Sequence, residues 1–384
     1  MGPQANLTAK EVDTLSRAFA LWLAERTQHS VLRVAVGMDA RLSGPALKEA
    51  CITALADCGL FVLDCGMAST PAMFMTTVSD QTHCDGAVML TASHLPSDRN
   101  GMKFFTCQGG LESGEITALL RLSEGDLPRG RAGQVQTFDF ISIYAEGLRQ
   151  KIQQETGQTQ PLKGLKILVD AGNGAGGFYA EKVLQPLGAD IQGSQFLEPD
   201  GHFPHHIPNP ENAEAMQSLV DAVIRHNADF GLIFDTDVDR VGAVDKGGVV
   251  LNKNRLIAVI SAVLLRETPG AAIVTDSITS TGLAEFIKAH GGIHRRFKRG
   301  YKNVINEAIR LNREGVNCPL AIETSGHAAL RENYFLDDGA YLCTRIIIKA
   351  AVLRREGKTI DTLLADLREP AEAAEYRLKI KAED

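Results

Sequence analysis

Along the 384-residue chain, short apolar runs of strand length alternate with stretches whose apolar positions recur every three or four residues. The first helical stretch opens at Thr8 and Glu11, in capping-box spacing, and carries Val12, Leu15, Phe19 and Leu23 along one face. "VLRVAVGMD" then reads as a strand. "GPALKEACITALADCG" reads as a helix begun by Pro45 and ended at Gly59, and "LFVLDCG" and "DGAVML" as two more strands. Strands alternating with helices of this length predict βα units and mostly parallel sheets.

The pattern restarts twice. "LKILVDAGNGAGG" opens a second block, with "AEKVLQPLG" as its helix and "DFGLIFD" as a later strand, and "AAIVTDSITSTGLAEFIKAHGG" opens a third. Each block begins with an apolar strand that ends in a small, polar turn: "VAVGMD", "ILVDAGN", "AIVTDSITS". The expected fold is α/β, built from three consecutive similar α/β modules with mixed, mostly parallel sheets. The charged "LSEGDLPRGRAGQ" and the amphipathic "FDFISIYAEGLRQKIQQET" separate the first two modules, and "DKGGVVLNKNRL" reads as a hairpin leading out of the second. A last helix is expected in "IDTLLADLREP", after which "EYRLKIKAED" begins a strand whose backbone groups need partners. The resulting divisions are 1–140, 141–252 and 253–370, with 371–384 as the start of a further domain.

Charge narrows the function. Acidic residues outnumber basic ones 47 to 40, giving −7, and no Lys/Arg-rich run stands out, so a general nucleic-acid partner is not expected. An anionic ligand would need locally placed cations. The seven cysteines are odd in number and form no Cys-x-x-Cys pair, which predicts reduced thiols in a reducing compartment. No apolar run approaches the roughly 18 residues of a membrane span, and the first residues do not read as a signal peptide. A soluble, cytoplasmic protein without a membrane partner is expected.

Chemistry concentrates at strand ends. In "DFGLIFDTDVDRVGAVD" a buried-strand pattern is followed by Asp235, Asp237 and Asp239, with Arg240 next. Three carboxylates in such a short stretch repel one another unless neutralised, and a hard divalent cation with oxygen ligands does so. A calcium loop is excluded, because its sixth and twelfth positions would hold Arg240 and Lys246 instead of Gly and Glu. "LIFDTDV" also resembles the motif of haloacid-dehalogenase-type phosphatases, in which Asp235 would be the nucleophile. "AVMLTASHLPSDRNGMKFF" places Ser93 and His94 just past another strand, with Lys103 further on. "AIETSGHAAL" sets Glu323, Ser325 and His327 at alternate positions, suited to vicinal sugar hydroxyls or, alternatively, to a capped helix start. "FKRGYKNV" offers Lys298, Arg299 and Lys302 around Gly300 as a phosphate grip. His202, His205 and His206 in "DGHFPHHIPNPEN" lack a fixed ligand frame, and the prolines there favour a rigid loop over a metal site.

Taken in order, "TASHLPSDRNGMK", "DGHFPHHIPNPE", "DTDVDR", "KRGYKN" and "ETSGH" resemble the α-D-phosphohexomutases, the superfamily of phosphoglucomutase, phosphomannomutase and phosphoglucosamine mutase. "VGMDARLSGPAL" and "VDAGNGAGG" resemble its first two domains, so the likeness covers nearly the whole chain. The resemblance implies an active-site cleft between the modules and interconversion of hexose 1-phosphate and hexose 6-phosphate through a phosphoserine and a bisphosphorylated sugar. It implies that Ser93 carries the phosphoryl group, that His94 helps bind phosphate, and that Lys103 is the general acid/base. Asp235, Asp237 and Asp239, with a phosphate oxygen on Ser93, would hold Mg²⁺. Arg240, Lys302, Glu323, Ser325 and His327 would bind the phosphosugar, and a hexose 1,6-bisphosphate would act as activator.

The chain departs from the family pattern at Leu95, where Asn is usual, and at Tyr301, where His is common. It also lacks the N-terminal Ser-Gly-x-Arg-Gly-like segment and the Arg-x-Ser-Gly-Thr-Glu-Pro-like loop of a fourth domain. Activity weakened by shortening is therefore expected. A phosphatase with Asp235 as nucleophile and a non-catalytic binding or assembly protein are the alternatives. A plastid stroma is the alternative compartment if a transit peptide was removed.

Overall fold

The structure is a computed structural model that describes residues 6–251, 253–372 and 374. The first module contains α1 (Ala9–Ala24), β1 (Arg33–Met38), α2 (Gly44–Asp57), β2 (Phe61–Met67), α3 (Thr70–Met75), β3 (Gly86–Leu90), β4 (Met102–Thr106), β5 (Gly109–Gly110), α4 (Ser113–Ser123) and β6 (Gln134–Thr137). Its six-stranded sheet has the order β5-β4-β3-β1-β2-β6. The β1, β2, β3 and β6 ladders are parallel, and β4 and β5 are added antiparallel at one side. Thr8 caps α1 with the predicted Glu11 reciprocal bond, and Gly59 takes φ 88° just past α2, where a side chain would be strained.

A long helix, α5 (Phe140–Thr156), leads to the second module: β7 (Ile167–Asp170), α6 (Ala213–His226), β8 (Phe230–Phe234), β9 (Val241–Asp245) and β10 (Val250–Leu251). Its sheet runs β10-β9-β8-β7, with β7 and β8 parallel and the β9–β10 hairpin antiparallel. The helix expected in "AEKVLQPLG" is instead a π-turn over Tyr179–Leu184 running into a 3₁₀ turn over Gln185–Leu187. Pro186 has no N–H to continue α-helical bonding, and Gly188 at φ 93° ends the segment.

The third module comprises α7 (Asn254–Glu267), β11 (Ala272–Asp276), α8 (Thr281–Ala289), β12 (Ile293–Phe297), α9 (Tyr301–Arg313), β13 (Leu320–Ile322), β14 (Ala328–Leu330), β15 (Leu336–Asp337) and α10 (Gly339–Arg355). The sheet order is β12-β11-β13-β14-β15, parallel through β13 and antiparallel beyond. The helix expected in "IDTLLADLREP" is a 3₁₀ turn over Ile360–Leu364. Its buried Ile360 and Leu363 stand at the three-residue spacing of that helix type. "EYRLKIKAED" lies outside the described residues.

One apolar cluster runs through all three modules, joining Met73 and Phe74 to Tyr179 and Phe234 and to Leu342 and Ile346. Burying each such side chain contributes about 1.5–3 kcal/mol, so the modules are held by the same force that folds them. Polar pins sharpen the fit. The Tyr144 hydroxyl of α5 donates to Asp338, the N-cap of α10, at 2.7 Å. Buried Arg345 of α10 reaches Glu155 at 2.6 Å and Glu332 at 3.1 Å, and also pairs with Glu267. All seven cysteines are free, and six are buried. Among the described residues, no helix is long and apolar enough to cross a membrane.

Candidate active site

The strand-end aspartates of the three opening strands, Asp39, Asp170 and Asp276, are all buried, and each organises its own module's loops. Asp39 accepts from the Thr91 hydroxyl at 2.6 Å, Asp170 from Gln195 at 2.7 Å, and Asp276 from Thr324 at 2.7 Å. The chemistry gathers where the loops from the ends of β3, β8 and β13 face one another.

The β3–β4 pair closes the first loop, and its register sets Leu90 opposite Met102. Gly101 sits at the closure, where a Cβ would lie 2.8 Å from the Thr91 carbonyl oxygen. Ser93 adopts φ 50°, a left-handed conformation that costs a non-glycine residue about 1–2 kcal/mol. Its amide donates to Thr91 Oγ1 at 2.9 Å. Its hydroxyl donates to Asp235 Oδ2 at 2.8 Å, with Arg240 Nη2 at 3.5 Å and His94 Nδ1 at 3.4 Å. The first module's serine therefore meets the second module's acidic loop.

That loop joins β8 to β9, whose ends pair Phe234 with Val241. It is held from both sides. Thr70 at the start of α3 donates its amide to the Asp237 carbonyl at 2.9 Å and its hydroxyl to the Asp237 carboxylate. Gly339 at the start of α10 donates to the Val238 carbonyl at 3.1 Å. Only glycine fits there, because a Cβ would sit 2.8 Å from the Arg240 carbonyl carbon. Between these clamps Val238 is driven to φ 69°, a conformation that a β-branched residue adopts only under external constraint.

Asp235, Asp237 and Asp239 are all buried, and their carboxylate oxygens lie within 4.8 Å of one another. Lys103 Nζ bridges Asp237 and Asp239 at 2.7 Å each, and Arg240 Nε reaches Asp235 at 3.1 Å. Three cations, Lys103, Arg240 and His327, face four carboxylates, the three aspartates and Asp337, and the imbalance shows in their proton affinities. Burial, then Asp239 and Asp237, hold Asp235 well above the usual carboxylate range. Asp239 is also penalised by burial, but Lys103, His327 and Arg240 outweigh it and draw the group down. Lys103 is held well above its usual value: burial opposes its charge, and Asp237 and Asp239 overcome that. Asp237 Oδ1 and Asp239 Oδ1 are buried without a hydrogen-bond donor. Three oxygen donors, two of them unpartnered, and a deficit of positive charge fit a hard divalent cation.

From the third module, "ETSGH" is the turn of the β13–β14 hairpin, not a helix start. Arg240 and His327 pair as an isolated antiparallel bridge, which ties this turn to the acidic loop. Gly326 takes φ 97°, and its Cβ position lies 2.5 Å from the Val241 carbonyl oxygen. His327 Nδ1 lies 2.5 Å from Asp337 Oδ2 and 3.9 Å from Asp239. Burial opposes the imidazolium, but Asp337 and Asp239 raise its pKa to about 9. Tyr301 stacks on the same ring at 5.0 Å. Glu323 accepts the Gly300 amide at 2.5 Å, and Ser325 donates to Glu323 at 3.5 Å. Lys302 crosses the cleft to the carbonyls of Gly110 and Leu111 in the first module, with Glu112 at 3.6 Å. His94, by contrast, is pushed down to about 4 by burial and by Arg240.

Ser93, His94, Lys103, the three aspartates, Arg240 and His327 thus converge. Glu323 and Ser325 sit in the same hairpin turn as His327, while Lys302 faces the first module's rim. The three loop histidines do not converge: His202 pairs with Asp200, His205 stacks on Phe196, and His206 donates to Asp170 at 3.0 Å. Thr70, Asp337, Asp39 and Arg41 escaped sequence reasoning. For Asp39 a signal existed, since it ends its strand as Asp235 does.

Three domain families match in chain order, described as "Phosphoglucomutase/phosphomannomutase, alpha/beta/alpha" domain I over residues 2–121, domain II over 142–248 and domain III over 252–370. The chain is 33% identical over 360 residues to a phosphoglucomutase of Neisseria gonorrhoeae, covering 93% of this chain and 74% of that protein. It is 34% identical over 342 residues to a phosphomannomutase/phosphoglucomutase of Pseudomonas aeruginosa, covering 87% and 70%. The crystal structure of a phosphoglucomutase/phosphomannomutase family protein from Burkholderia thailandensis superposes with TM-score 0.80 at 28% identity, over 96% of this chain and 77% of that one. The fold is a three-module α/β protein whose loops bring a serine of the first module onto an acidic loop of the second. The chain belongs to the phosphoglucomutase/phosphomannomutase family, and its function is that of a hexose-phosphate mutase.

Proposed function

We propose that Ser93 is the phosphoryl carrier of this mutase and that the cleft between domains 1–140, 141–252 and 253–370 holds the sugar. The observation that carries this reading is the 2.8 Å contact between Ser93 Oγ and Asp235, beside Arg240 and the Lys103-bridged pair. A phosphate on Ser93 would bring nearly two negative charges against Asp235, so the site requires a cation there. Bound by Asp235, Asp237 and Asp239, Mg²⁺ would neutralise the phosphoryl oxygens.

In the forward half-reaction a hydroxyl oxygen of the hexose phosphate bonds to phosphorus as the bond from phosphorus to Ser93 Oγ breaks. Lys103, protonated between two carboxylates, gives its proton to Oγ and recovers one from the attacking hydroxyl. The product is a hexose bisphosphate. It turns over in the cleft and returns its other phosphoryl group to Ser93 by the same steps, so a hexose 1,6-bisphosphate primes an unphosphorylated chain. Arg240 and His94 flank the transferring group. Glu323, Ser325 and His327 take the sugar hydroxyls. Lys302 exchanges its rim carbonyls for substrate phosphate. Catalysis of this kind rests on positioning and charge. Glucose, mannose and glucosamine phosphates all suit such a turn. Six buried free thiols support a reducing, cytoplasmic or plastid-stromal setting.

The test is conversion of glucose 1-phosphate to glucose 6-phosphate with Mg²⁺ and a trace of the bisphosphate. Ser93→Ala is expected to abolish it, and Asp235→Asn likewise. Turnover of phosphate to the inorganic form that survives Ser93→Ala but not Asp235→Asn would instead establish the aspartate-nucleophile phosphatase.

A further inference from the structure

The Ser93 loop is built around one side chain outside it. Arg41, in the turn after β1, is 1% exposed, and all five of its guanidinium N–H donors are engaged. Nε donates to Asp39 Oδ2 at 3.2 Å. Nη1 donates to the carbonyls of Pro96 at 2.6 Å and Arg99 at 2.9 Å. Nη2 donates to the carbonyls of Ser93 at 2.5 Å and Leu95 at 2.7 Å. Four carbonyls of one loop are turned inward onto a single cation. A guanidinium has the five donors in a planar fork for this, and an ammonium has three from one point.

With the carbonyls gathered on Arg41, the side-chain hydroxyl of Ser93 faces the other way, toward Asp235 and Arg240. The same Asp39 that receives Arg41 receives Thr91 Oγ1, which in turn takes the Ser93 amide. Both backbone polar groups of Ser93 are therefore fixed by one buried cluster, and this holds the residue in its left-handed conformation.

The "DGHFPHHIPNPE" segment braces that cluster from the second module. Phe203 lies over the Arg41 guanidinium at 5.6 Å. Gly201 packs so closely on the turn that a Cβ would sit 2.5 Å from the Ala40 carbonyl oxygen. At the segment's far end Asn209 Oδ1 accepts from Arg240 Nη1 at 3.4 Å. One segment thus touches the two arginines that flank Ser93, one on its carbonyl and one on its hydroxyl.

We infer that Arg41 is a positioning residue for phosphoryl transfer, setting the direction of Ser93 Oγ from behind, and that residues 201–209 couple its placement to that of Arg240. This rests on the reading of Ser93 as phosphoryl carrier. Arg41 is buried with all five guanidinium donors already engaged, so its removal should act on kcat and leave KM nearly unchanged. A misplacement of about 1 Å costs on the order of 100-fold in rate.

The experiment measures mutase kcat and KM and, by intact mass, the rate at which glucose 1,6-bisphosphate phosphorylates Ser93. The wild-type chain is compared with Arg41→Lys, Arg41→Ala, Thr91→Val and Ser93→Ala. Arg41→Lys should lose about 100-fold in both rates with KM within about threefold, and free methylguanidinium should restore part of the Arg41→Ala rate. Wild-type rates in Arg41→Lys, or a rise in KM at unchanged kcat, would overturn the inference. If both Arg41 variants fail to fold, Thr91→Val decides: a matching fall in phosphorylation rate supports it, and an unchanged rate overturns it. Activity surviving in Ser93→Ala identifies failure of the carrier reading itself, whatever the Arg41 variants do.

Discussion

His327 should stay charged well past neutrality, and this can be tested directly. Its imidazole faces Asp337 at 2.5 Å and Asp239 at 3.9 Å, and these carboxylates outweigh burial to raise its pKa from 6.5 to about 9. A shift of about 2.5 units at 1.36 kcal/mol per unit corresponds to roughly 3 kcal/mol favouring the charged fold. Because the folded value lies above the unfolded one, the contribution is complete below pH 6.5. It is lost as pH rises toward about 9. Through that window the stability of the chelator-treated protein should fall by about 1.4 kcal/mol per pH unit on this account. The assay is a titration of ¹³Cε1-labelled histidines by NMR in chelator, with His327→Gln identifying the resonance among the ten. Asp337→Asn should lower the midpoint by more than about one unit, since it removes the nearer charge and leaves Asp239. A wild-type midpoint near the ordinary histidine value, or one indifferent to Asp337→Asn, would refute the ion-pair argument.

Two further outcomes follow from the site and its frame. Magnesium added to chelator-treated protein should stabilise it, by about 2.7 kcal/mol at a hundredfold excess over Kd. Asp237→Asn should abolish the gain, and a denaturation midpoint unmoved by magnesium in the wild-type chain would deny the acidic loop a cation. Tyr144→Phe removes the hydroxyl that α5 donates to Asp338, and losing a buried hydrogen bond to a charged acceptor should cost about 1.5–3 kcal/mol. Chemical denaturation measures it, and a loss near zero would mean that Asn333 and the Tyr341 amide satisfy Asp338 alone.

Local pattern alone marked out the α/β modules, the Ser93 loop, the acidic loop after β8 and the ETSGH turn. Each rests on residues close together in the chain, where strand periodicity and short spacing leave few alternatives. The three strand-end turns were visible for the same reason, and all three of their aspartates are buried organisers. Local pattern failed at "AEKVLQPLG", where an α-helical spacing hid the break that Pro186 imposes, and at "IDTLLADLREP", where three-residue and four-residue spacings overlap. The packing of modules decided the rest. Thr70 meets Asp237 across 167 positions, Lys103 meets Asp239 across 136, and Tyr144 meets Asp338 across 194. No periodicity connects such pairs, because their contact depends on the angle at which separate sheets bury a shared apolar core. The same packing drives Val238 into its left-handed conformation and presents Ser93 to carboxylates of another module.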